Sequence, residues 1–163
     1  MLASPVTLFE LLWGEVLWAA CKAMFSGVCV LIVGALWGGV STVTGSLLVL
    51  PILFLGSLGF AAYGLFATSC AKGYDFFNYF FTFWITPMFV FSGVFFEIDR
   101  FPMAVQWLAW LLPMTHLVEV LRALMTEAEI SNTRFLLHIG YTVVLTVAAF
   151  ALAYRNVRRR MFD

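Results

Sequence analysis

Four apolar stretches long enough to cross a lipid bilayer constrain this chain more than any other feature. They run over 17–40, 47–67, 76–96 and 135–154. Lys22, near one end of the first, is the one charged side chain among them. A helix rises about 1.5 Å per residue, so roughly 20 apolar residues cross a hydrocarbon core about 30 Å thick. In that medium the backbone must satisfy its own hydrogen bonds, which a helix does within one segment. The expected fold is therefore an all-α membrane protein with about four transmembrane helices. Composition agrees: 63% of residues are hydrophobic and 11% charged, against about half and about a quarter in soluble domains. Nine basic and nine acidic residues leave no net charge, so electrostatics supply no reason to expect a nucleic-acid partner.

Glycine and proline lie inside these runs at Gly34, Gly38, Pro51, Gly56, Gly59 and Pro87. That is ordinary in lipid, where small residues allow close helix approach. Gly34 and Gly38 form a G-x-x-x-G pair, a weak signal for a helix contact. Cys21, Cys29 and Cys70 show no metal-ligand spacing and read as small apolar packing residues. No basic segment precedes an apolar stretch and cleavage site at the N-terminus, so the start does not read as a secretory signal.

Charge placement predicts the orientation. The tail 155–163 carries Arg155, Arg158, Arg159 and Arg160 directly after an apolar run, which places that end in the cytoplasm by the positive-inside rule. Counting back through four spans puts the N-terminus and Lys72 on the same side. The segment 97–134 then faces outward, and its acidic residues Glu97, Asp99, Glu119, Glu127 and Glu129 outnumber Arg100, Arg122 and Arg134.

Two segments are too short to span. Over 4–14, Thr7 and Glu10 have the spacing of a capping box, with Pro5 before it, predicting a short helix that ends near Gly14. Leu8, Leu11 and Leu12 would share one side, suited to lie at a membrane surface. By residues alone this is an interfacial lead-in or a docking helix for a cytoplasmic partner. Over 97–129, an apolar run of about a dozen residues stops at Pro113, the length of a re-entrant or interfacial helix. Trp107 and Trp110 fit the headgroup level. A second short helix, 115–126, would align His116, Glu119 and Arg122 along one side and Leu117, Val120, Leu121 and Leu124 along the other. Two candidate ligands are too few for zinc, His138 stands on another segment, and no nucleophile is near in sequence. A Glu119–Arg122 pair that hydrates the helix or ties it to a neighbour is the expected role. No glycine-rich phosphate loop occurs, so any energy source is expected on another subunit.

Several stretches together resemble the ABC-2 type permeases, and within them the branch of the nodulation-factor (lipo-oligosaccharide) export permease. They are Ala3 to Val6, Gly14 to Ala23, Tyr74 and Asp75, Ile85 to Met88, Phe91 to Phe96, Asp99, Pro102, Gln106 and Trp107, and Leu111 to His116 followed by Glu119 and Arg122. Their order and spacing carry the resemblance.

The resemblance implies that 4–14 is a cytoplasmic coupling helix resting on an ATP-binding subunit. Ser4, Pro5, Thr7, Glu10, Leu11, Gly14 and Glu15 are the candidate contact or bracing residues. It implies that 97–129 is an external helix pair, with His116, Glu119 and Arg122 as its polar face. It further implies a homodimeric exporter in the bacterial inner membrane, both termini cytoplasmic, without a cofactor, metal or catalytic residue of its own. ATP would sit on the partner. The expected cargo is a lipo-oligosaccharide, polysaccharide or drug-like amphiphile. The family pattern includes an N-terminal helix and two spans before the coupling helix, so roughly 90 to 100 further residues are expected. The competing readings are a non-transporting scaffold or inactive truncated permease, and an intramembrane enzyme acting on lipid-linked substrates through His116, Glu119 and Arg122.

Overall fold

The computed structural model of the chain describes residues 6–39, 43–96, 98–126 and 131–162, and every element among them is helical. The elements are α1 (Leu8–Leu36), α2 (Val43–Cys70), α3 (Asp75–Phe80), a π-helical turn (Phe81–Ile85), α4 (Thr86–Phe91), a 3-10 turn (Ile98–Arg100), α5 (Met103–Leu111), α6 (Pro113–Thr126) and α7 (Asn132–Phe162). Ser4, Pro5, Glu97, Glu127 and Glu129 lie outside the described residues.

The packing centre is α2, which touches α1, α6 and α7. Glycine permits each approach. A Cβ on Gly27 of α1 would stand 2.8 Å from a methyl of Leu53, one on Gly56 would meet Leu117 of α6 at 3.0 Å, and one on Gly59 would meet Thr146 Oγ1 of α7 at 2.9 Å. The facing side of α7 is a stripe of small buried residues, Thr142, Thr146, Ala149 and Ala153, at spacings that fall on one helix face. Both threonine hydroxyls donate to the carbonyl four residues back, Thr142 to His138 at 2.9 Å and Thr146 to Thr142 at 2.7 Å. These polar groups are thus buried without an unmet hydrogen bond.

Outside this seam the long helices are bare. α1, residues 47–70 of α2, and α7 are long and apolar enough to cross a membrane, and only 11%, 28% and 17% of their most apolar windows is covered by the rest of the chain. Phe25, Val30, Leu36, Leu137 and Val144 point outward. Such surface is stable against lipid tails and not against water. The chain is an integral, multi-pass membrane protein.

Several sequence boundaries change. The segment 4–14 does not form a separate helix: α1 begins after the cap at Thr7 and continues through Gly14 to Leu36. A single interior glycine costs only about 1 kcal/mol, too little to stop a capped apolar helix. Leu8, Leu11 and Leu12 divide accordingly, Leu12 buried and Leu11 50% exposed. The first run stops at Leu36, short of residue 40. Among the described residues nothing stands within 4 Å of a Cβ placed on Gly34 or Gly38, and the pair builds the end of α1. Gly38 has φ +75°, its N–H donates to the Ala35 carbonyl, and that of Gly39 to the Gly34 carbonyl at 2.8 Å. This is a Schellman cap.

The run 76–96 ends as a helix at Phe91 and is interrupted by the π turn. Pro87 has no N–H, and its ring would collide with the carbonyl four residues back. The turn widens just before it, and Thr86 gives both its N–H and its hydroxyl, the latter at 3.0 Å, to the Phe81 carbonyl. The basic tail is the last turns of α7, not a separate segment. Arg160 caps the end of α2 through the carbonyls of Ala71 at 2.9 Å and Cys70 at 3.3 Å. Cys21 and Cys29 are exposed on α1, so they do not pack between helices.

Candidate functional site

Two places concentrate polar chemistry, one at each end of the helix bundle. At the first, Thr7 and Glu10 close the capping box predicted from their spacing. The Glu10 carboxylate accepts from the Thr7 N–H at 2.7 Å and from its hydroxyl at 2.8 Å, and the Glu10 N–H donates to Thr7 Oγ1 at 3.3 Å. One turn on, Trp13 meets Phe150 of α7 edge-to-face at 5.2 Å, while Phe9 meets Phe150 at 5.7 Å and Tyr154 at 6.2 Å. The start of α1 is thus held by a backbone cap and an aromatic cluster. Leu11, Gly14 and Glu15 remain exposed beside it. Glu15 stands at the edge of a groove of about 680 Å³ between α1, α2 and α3 that is lined by Ala19, Ala23, Gly64 and Phe80.

At the other end, α5 and α6 form a hairpin bent by 89°. Leu112 is extended, φ −82° and ψ 131°, because the residue before a proline is driven out of the helical region. Pro113 then opens α6, where its missing N–H costs nothing. The last carbonyls of α5 lack the N–H of a continuing helix; Ala109 keeps the Leu112 N–H at 3.0 Å, and side chains add a partner to each of the last three. Thr115 donates its hydroxyl to Ala109 at 2.6 Å, His116 Nε2 meets the Trp110 carbonyl at 2.8 Å, and the Tyr141 hydroxyl of α7 donates to Leu111 at 2.7 Å. His116 Nδ1 lies 2.7 Å from His138 Nδ1 of α7. Trp110 stacks on His138 with ring centroids 5.8 Å apart.

The predicted polar face of α6 is present, with Leu117 and Val120 buried on the other side. Glu119 and Arg122 approach to 3.9 Å, and Arg122 also donates to the carbonyl of Gly93 at the end of α4. The pair therefore ties the hairpin to its neighbour as well as lying on a wet face. Asp99, Glu119, Arg122 and Arg134 line an open cleft of about 690 Å³ around the two imidazoles. No serine, cysteine or lysine lines it, and among the described residues no three metal-binding side chains converge. The arrangement suits proton exchange and hydrogen bonding.

Sequence reasoning treated His138 as belonging to another segment, counted Arg134 only as an outward-facing charge and passed over Tyr141. The available signal was a histidine inside an apolar run, where a polar group must find a partner.

The description ABC-2 type transporter matches residues 1–126. Nodulation protein J of Rhizobium leguminosarum bv. viciae is 35% identical over 161 residues, covering 99% of this chain and 61% of that relative. The proteins of the same name from Sinorhizobium fredii and Rhizobium meliloti are 32% and 33% identical, each over 99% of this chain and 61% and 60% of their own lengths. The chain thus spans about three fifths of the length of the curated relatives it matches. No solved structure matches it. The chain belongs to the ABC-2 type transporter family.

Proposed function

We propose that this chain is the membrane-embedded permease portion of an ATP-binding-cassette exporter, with ATP bound and hydrolysed on a separate subunit. The observation that carries the reading is the exposed, capped start of α1 in a chain of this family. A 29-residue helix is about 43 Å long, some 13 Å more than a hydrocarbon core of about 30 Å. With the Leu36 end in the far interface, Thr7 to Glu15 protrude into the cytoplasm, and Lys22 snorkels from the near boundary with its ammonium 5.4 Å from the Trp18 ring.

Because the protruding turns and the span are one uninterrupted helix, a push on Glu10 or Leu11 is transmitted to the membrane segment without a hinge. The ATP-binding subunit must touch that surface differently in its two states, since equal contact in both shifts nothing. In this reading the hairpin faces outward, both termini are cytoplasmic in a bacterial inner membrane, and two copies enclose the path. The resemblance to the nodulation-factor export permeases implies a lipo-oligosaccharide cargo, with polysaccharides and drug-like amphiphiles as the wider class.

The test is co-purification with a candidate ATP-binding subunit, together with ATP-dependent transport into inverted vesicles. The double variant Glu10→Ala, Leu11→Ala should lose the partner while remaining folded in detergent. Retention of the partner by that variant overturns the coupling assignment. Capture of the partner without any transport favours the scaffold reading instead.

A further inference from the structure

The two histidines of this chain stand on different elements, α6 and α7, with their Nδ1 atoms 2.7 Å apart. The proton inventory of this contact is fixed by its surroundings. His116 Nε2 faces the Trp110 carbonyl at 2.8 Å, and a carbonyl accepts only, so Nε2 carries a hydrogen. In neutral His116 the Nδ1 lone pair is then free to accept, and His138 must present Nδ1–H. If His116 takes up a proton, its Nδ1–H donates and neutral His138 accepts in the other tautomer. One proton therefore lies between the rings in both states. A second puts two N–H groups and two positive charges face to face at a distance no hydrogen bond can span.

We propose that the His116–His138 contact is a proton-operated latch that holds the α5–α6 hairpin against α7 and releases it when both imidazoles are charged. The first proton strengthens the latch, since the bond becomes charge-assisted. The second breaks it, and because the sites share one proton the pair titrates in two separated steps. The charged groups around the pair among the described residues are Asp99 of the 3-10 turn, Glu119 and Arg122 of α6, and Arg134 of α7, with Tyr141 as a neutral neighbour. Arg122 is already held by Gly93 and Glu119. Arg134 lies one helical turn before His138 and opposes its second charge.

What the latch carries is the orientation of the 89° hairpin. The Trp110 stack on His138 is released with it, while charged His116 keeps its Nε2–H on the Trp110 carbonyl and Tyr141 to Leu111 is left as the hydrogen bond from α7. This inference concerns the chain alone and stands whether or not the permease reading holds.

The experiment uses the full chain in lipid nanodiscs with ring-15N-labelled histidine, and its two imidazoles give a spectrum without overlap. At neutral pH the expected result is one shared N–H···N proton, with an Nε2–H at His116. On acidification two separated titration steps follow. Amide exchange in 104–112 rises at least tenfold across the second step, while that of α2 stays constant. His138→Phe keeps the stack on Trp110 and removes the second proton site, so hairpin exchange becomes independent of pH between about 7 and 5. His116→Gln, which still reaches the Trp110 carbonyl, should do the same. Two independent single-step titrations, or acid release that persists in both variants, would overturn the latch and shift the effect to Asp99 or Glu119.

Discussion

The two ends of the bundle solve the same problem by different chemistry. At the Thr7 end, α1 is attached to α7 by aromatic edges and capped by a carboxylate, and α7 reaches the end of α2 through a guanidinium. At the hairpin end, α5 is attached to α6 and α7 by hydroxyls and imidazoles aimed at three successive carbonyls. Guanidinium and aromatic contacts do not change between pH 5 and 8, and the Thr7 N–H and hydroxyl hold the Glu10 carboxyl below the usual carboxylate range, so it stays charged there. Imidazole is the side chain whose ordinary pKa lies in that range, and burial holds His116 below its ordinary value. One end is therefore a fixed post and the other an adjustable one.

Four substitutions break or sharpen the contrast. The largest effect belongs to Phe150→Ala, which removes the ring that both Phe9 and Trp13 pack against. A loss of about 3 kcal/mol in unfolding free energy is expected, with the start of α1 freed and the hairpin untouched. Thr115→Val comes next. It removes the 2.6 Å bond from a fully buried hydroxyl to the Ala109 carbonyl, which keeps the Leu112 N–H, for about 1.5 kcal/mol. Its hydrogen-exchange signature should be confined to α5 and α6.

Thr7→Ala opens the capping box and is expected to cost about 1 kcal/mol. The cost should be the same at pH 7 and pH 5.5, measured by chemical unfolding in detergent; a strong dependence on pH would erase the distinction between the ends. Smallest is Arg160→Met, about 0.5 kcal/mol from an exposed cation lost at a helix C-terminus. It should be visible as faster amide exchange in the last turn of α2, whose end Arg160 caps.

Periodicity and punctuation made much of this legible before any coordinates. The capping box at Thr7 and Glu10 follows from spacing alone, because both partners lie within one turn. The hairpin break follows from Pro113, which acts on its immediate neighbour Leu112 through sterics. Where sequence reasoning erred, a local cue was outweighed or served another purpose. Gly14 did not end a helix whose cap and apolar continuation favoured extension. Gly34 and Gly38 had the spacing of a packing motif, and the positive φ of Gly38 turned them into a terminus.

Membrane residence, helix content and the polar face of α6 were determined by sequence by itself, because burial in lipid and hydrogen bonding within a helix need only the segment concerned. The tertiary structure alone decided that His138 meets His116, that Tyr141 caps Leu111 and that Arg160 closes α2. Each of those contacts joins residues 22 to 89 positions apart. Such partners meet only after α2 has gathered its neighbours, through glycine contacts whose registry no single segment encodes.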